Sequence, residues 1–61
     1  MFHLNDIYIK YSSNEAIRES VTDKQLTERK LSCDKYANEF GTRAEIKNAK
    51  NGKLIYRVII N

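Results

Sequence analysis

Thr42-Arg43-Ala44-Glu45-Ile46-Lys47-Asn48-Ala49-Lys50-Asn51-Gly52-Lys53-Leu54-Ile55-Tyr56-Arg57-Val58-Ile59-Ile60 reads as two alternating runs joined through Asn51-Gly52. Asn-Gly between such runs is the strongest short-range hairpin signal. A two-residue loop would set Ile46 against Arg57 and Glu45 against Val58, mixing apolar and polar faces. A three-residue loop, with Gly52 left-handed in a bulge, instead opposes Ile46 with Tyr56, Ala44 with Val58, Thr42 with Ile60 and Glu45 with Arg57. The pattern predicts strands over 42–48 and 54–60. Their inner face carries Ala44, Ile46, Leu54, Tyr56, Val58 and Ile60, and their outer face Arg43, Glu45, Lys47, Ile55, Arg57 and Ile59.

Toward the N-terminus, Gly41 is placed to end a helix, because a left-handed residue after the last turn costs glycine nothing sterically. At about 100° per residue, Leu26, Cys33, Ala37 and Phe40 share one face of that helix, and Leu31 lies off it. Ile17 and Val21 fall on the opposite side. One straight helix would expose one of the two sets, so the pattern breaks at Val21-Thr22, where Thr22 and Gln25 have capping-box spacing. Ser12 and Glu15 have the same spacing, which predicts a short helix over 14–21 before a longer one over 23–40. Residues 6–11, Asp-Ile-Tyr-Ile-Lys-Tyr, alternate as a strand with Ile7, Ile9 and Tyr11 on one face. With the most apolar strand, 54–60, in the centre, the expectation is a single α+β domain over 1–61. It is a layer of three antiparallel strands in order 1-3-2 with both helices on one face, β-α-α-β-β.

Sixty-one residues bury only about 60% of the surface their unfolded chain exposes. A chain this small usually needs a disulfide, a metal or another protein surface to stay folded. One Cys and one His supply neither a disulfide nor a structural zinc site. Hydrophobic residues at 41%, charged residues at 31% and a mean hydropathy of −0.66 describe a globular mixture with no apolar run long enough for a membrane span. The opening Met-Phe-His-Leu-Asn-Asp has no signal-peptide pattern and the lone thiol suits a reducing compartment, so a cytoplasmic setting is expected. Lys outnumbers Arg by seven to four, and Ile, Asn, Tyr and Phe are frequent. That bias fits AT-rich coding, as in a low-GC bacterium or a phage or plasmid within one.

Catalytic equipment is sparse. Cys33 lies in the apolar helix stripe and His3 near the terminus, which argues against a Cys-His nucleophile. Gly41 and Gly52 both have backbone roles, so no glycine-rich phosphate loop remains, and the pairs Glu15/Glu19 and Glu28/Asp34 fall on solvated helix surface. No enzyme, cofactor or metal site is expected. Charge is concentrated late, with five basic and one acidic residue over 41–61 against six and seven over 1–40. The expected binding surface is the outer hairpin face, Arg43, Lys47, Ile55, Arg57 and Ile59, joined by Tyr8 and Lys10 of the first strand.

Two functions fit that face. The first is a small phage- or mobile-element-encoded inhibitor that binds a host protein, such as a defence, replication or transcription factor, in the bacterial cytoplasm, or that pairs with itself as a homodimer. The second is nucleic-acid binding, as a winged helix with 23–40 in the major groove or as a single-strand binder through the hairpin. Glu28, Asp34 and Glu39 on the exposed side of 23–40 disfavour the winged helix.

Overall fold

Alternation of Ile7, Ile9 and Tyr11 with Asp6, Tyr8 and Lys10 makes the first strand, β1 (Asn5–Tyr11), in a computed structural model that describes residues 3–61. It turns back into β2 (Ile17–Val21), and after Thr22 the chain enters α1 (Asp23–Phe40), followed by β3 (Arg43–Asn48) and β4 (Leu54–Ile59). The order is β-β-α-β-β. All pairings are antiparallel, in one sheet ordered β2-β1-β3-β4. α1 covers one face of it, placing Cys33 and Ala37 over Ile7, Ile9, Val21, Ala44 and Ile46, all of them buried. Each fully buried isoleucine contributes about 1.5 to 3 kcal/mol relative to exposure.

The expected three strands and two helices are thus corrected to four strands and one helix. Residues 14–21 supply β2 instead of a helix. Ile17, Glu19 and Val21 alternate with Arg18 and Ser20, and a spacing of four between Ile17 and Val21 suits either structure. Pairing settles the matter, because as a strand the segment sets Ile17 opposite Ile9 and Val21 opposite Asn5 and closes the open side of β1. Ser12 does not cap a helix; it sits left-handed at φ 57° in the β1–β2 turn, where its hydroxyl accepts a hydrogen bond from Thr42 Oγ1.

The helix signals at 22–41 hold residue by residue. Thr22 Oγ1 accepts from the Gln25 N–H at 3.2 Å while Gln25 Oε1 accepts from the Thr22 N–H at 2.9 Å. Gly41 closes the other end at φ 60°. Of the expected stripe, Cys33 and Ala37 are buried and Leu26 packs against the core, but Phe40 is 63% exposed, its ring tilted against that of Tyr36 with centroids 4.7 Å apart.

Strand order is also corrected, since β3 lies beside β1 and the more apolar β4 forms an edge. What puts β3 inside is complete burial of Ala44 and Ile46 under α1, while Tyr56 and Val58 of β4 are only half-buried. The hairpin register is as read for Ile46 with Tyr56, Ala44 with Val58 and Glu45 with Arg57. It then slips. A bulge between Ile46 and Lys47 brings Lys47 opposite Leu54, because the loop closes through Asn48 N–H to Lys53 O and Gly52 N–H to Asn48 O, both 2.8 Å. Ile55 becomes the extra residue and packs against the core, whereas Leu54 is exposed, reversing the faces expected for these two.

Candidate functional site

Among the described residues no helix covers the face of the sheet away from α1, and the pleat decides what it shows. Antiparallel register lines its residues in rows. Arg18, Tyr8, Lys47 and Leu54 form one row, Lys10, Glu45 and Arg57 the next, and Arg43 with Ile59 the last. Asp6 opposite Ser20 completes the surface. Five cations therefore share a face with two carboxylates.

Both carboxylates are committed to neighbours. Asp6 takes a two-pronged contact from Arg18, Nε to Oδ1 at 3.1 Å and a second guanidinium nitrogen to Oδ2 at 2.6 Å. That guanidinium holds the Asp6 carboxyl below its ordinary range and in turn keeps its own proton more firmly. Glu45 lies 3.3 Å from Lys47 Nζ and 3.8 Å from Arg57 Nε. Among the described residues Lys10 and Arg43 have no such partner, so the face keeps a surplus of positive charge.

Tyr8 stands near the middle, half-exposed, with the Arg18 guanidinium 5.8 Å from its ring centroid. This is cation–π range. Beside it Tyr8, Lys10, Ala16, Glu45 and Lys47 line a shallow hollow of about 200 Å³ whose surface is mostly carbon. Lysine stems and the tyrosine ring are the carbon-rich side chains among that lining. The hollow suits an apolar group that carries negative charge.

Of the residues expected to bind, Tyr8, Lys10, Arg43, Lys47, Arg57 and Ile59 lie on this face. Ile55 does not, for it packs against the core. Sequence reasoning missed Arg18 and Ala16, which belong to β2 and the turn before it, expected to be helical, and Asp6 of β1, whose partner is Arg18. The signal was present in Arg18 and Ser20, polar residues in the alternating phase of Ile17-Arg18-Glu19-Ser20-Val21.

His3 is exposed and Cys33 is buried in the core. No group of three or more His, Cys, Asp or Glu that could hold a metal forms among the described residues, and no helix is long and apolar enough to cross a membrane. Comparison with protein-family models, with curated proteins and with solved structures finds no match for this chain.

Proposed function

We propose that the chain is a non-enzymatic binding module that docks the open face of its sheet onto an acidic, partly apolar surface of a larger host protein and acts by covering that surface. The observation that carries this reading is the composition of the face: five cations, two carboxylates already held in ion pairs, and a carbon-rich hollow lined by Tyr8, Lys10 and Lys47 among others. Such a face has rigid strands for its floor, so its side chains are presented at little ordering cost. An aromatic ring and arginines at the centre of a patch are the residue types that dominate protein interfaces.

Single-stranded nucleic acid fits the same face less well. Stacking platforms align several aromatic rings with successive bases, and here Tyr8 stands alone among the strands' outward residues, with Asp6 and Glu45 set where phosphates would run. The winged-helix version required a helix over 14–21, which is strand β2.

The test compares the chain with its Lys10→Glu/Lys47→Glu variant, both immobilised and exposed to nuclease-treated host extract. The expected result is a single protein retained by the first and lost by the second, with unchanged circular dichroism. Retention that disappears with nuclease treatment, or that survives the charge reversal, overturns the reading.

A further inference from the structure

We propose that β4 is a self-pairing edge, through which two copies of this chain join antiparallel about a two-fold axis at Val58 to make one eight-stranded sheet. The proposal rests on the open backbone edge of β4, and of the docking face it shares only Arg57 and Ile59.

The two edges of the sheet are built differently. β2 is short, and its two charged residues are tied down, Arg18 to Asp6 and Glu19 to Arg29. Short length and charge are what protect an edge from pairing. β4 is one residue longer, carries the single charge of Arg57, and has its bulge at Ile55, before the stretch 57–60. Its sequence Leu54-Ile55-Tyr56-Arg57-Val58-Ile59, continued by Ile60, contains no Pro or Gly and only one charge, and among the described residues no strand lies beyond it. An apolar edge with open hydrogen-bonding groups is a template for another strand.

The ladder says which groups are open. Ile60 N–H donates to Thr42 O at 3.0 Å, and Val58 and Tyr56 stand opposite Ala44 and Ile46 in the same phase. Antiparallel alternation then turns the N–H and C=O of Arg57 and Ile59 outward. A second copy centred on Val58 pairs Arg57 with Ile59 of that copy and Ile59 with its Arg57, which satisfies these groups in both chains.

Side chains choose this register. Centring on Arg57 would set the two Arg57 side chains directly opposite each other, a destabilising like-charge pair. Centring on Val58 gives Arg57 an isoleucine neighbour, leaves each Arg57 beside its own Glu45, and sets Ile60 opposite Tyr56. Ile60, 46% exposed in the single chain, gains the Tyr56 ring as a neighbour, and Ile59, 56% exposed, gains the carbon stem of Arg57. The strand is thus complementary to itself, and two-fold dimers are the commonest soluble assembly.

Sedimentation of the full chain, compared with Ile59→Pro, tests the proposal. Proline at residue 59 removes an outward N–H and leaves the β3 ladder its donors, so the fold should persist by circular dichroism. The expected result is a dimer for the chain and a monomer for the variant, with dimerisation unaffected or strengthened by salt, since both copies are cationic. Should Ile59→Pro not fold, Ile59→Lys serves in its place. A chain that stays monomeric up to about 1 mM, the range where an association of about 4 kcal/mol shows, overturns the proposal and leaves the edge to a foreign strand or to none. A dimer that survives both substitutions, or that dissociates as salt rises, overturns it equally.

Discussion

Burial sets the chemistry of Cys33. Its side chain has no exposure, and desolvation, helped by the charge of Asp34, pushes the thiol up to about 11 from 9.0. The thiolate is the reactive form, so Cys33 should resist alkylation at pH 8 in the native chain and react promptly once denatured. Linkage adds a second consequence. A folded pKa above the unfolded one gives stability that is whole below about 9 and declines as pH rises through about 11. Tyr11, raised chiefly by burial, and Tyr56, raised chiefly by donating its hydroxyl hydrogen bond to Asp34, shift the same way. Urea midpoints should therefore fall between pH 8 and pH 11, and the fall should be shallower in Cys33→Ala. Equal midpoints across that range would contradict the account. On the acid side Asp6 has the opposite sign, since Arg18 lowers its pKa and the stability it adds goes as pH drops below the ordinary carboxylate range.

At the scale of elements, α1 was the most legible because its ends carry local chemistry. A capping box and a left-handed glycine act within a few residues of the chain and need no tertiary partner. Thr22→Ala should cost about 1 kcal/mol by removing the cap. Gly41→Ala should cost about 1 to 2 kcal/mol, the penalty of a left-handed L-residue. Open space around the Gly41 position makes that cost conformational and not steric. Thermal melts of the two variants should show comparable losses, and a Gly41→Ala protein as stable as its parent would refute the capping role.

β2 was illegible for the complementary reason. Its strand character comes from pairing with β1, and Ile17 and Val21, four residues apart, satisfy a helix or a strand equally. Central placement of β3 was hidden in the same way. Ala44 and Ile46 look less apolar than β4 as sequence, yet they are the residues that α1 covers completely. The bulge at Ile46/Lys47 is decided by loop closure through Asn48, so the exchange of Leu54 and Ile55 between faces could not be read from alternation alone. The candidate face survived these errors nearly intact, because β1, β3 and β4 kept their alternation; what was lost was the Arg18–Asp6 border that β2 provides.

For the molecule as a whole, a single helix over four strands leaves a thin core. Cys33, Ala37 and Ala44 fill part of it with small side chains, and Ile7 and Ile46 are its largest fully buried members. Ile46→Ala should cost about 2 to 5 kcal/mol, comparable with the roughly 3 to 5 kcal/mol that a core of this size supplies. The variant should be largely unfolded at low concentration by circular dichroism. Dimerisation through β4 changes that balance by mass action, because assembly favours the folded chain in proportion to the logarithm of concentration. The melting temperature of the parent should accordingly rise as the chain is concentrated, and Ile46→Ala should regain ellipticity. Placing Ile59→Pro in either background should remove the concentration dependence while leaving the dilute melting behaviour close to where it was. Melting temperatures that do not move with concentration would mean that the small core stands without help from its edge, and the stability of this chain would then rest on the packing under α1 alone.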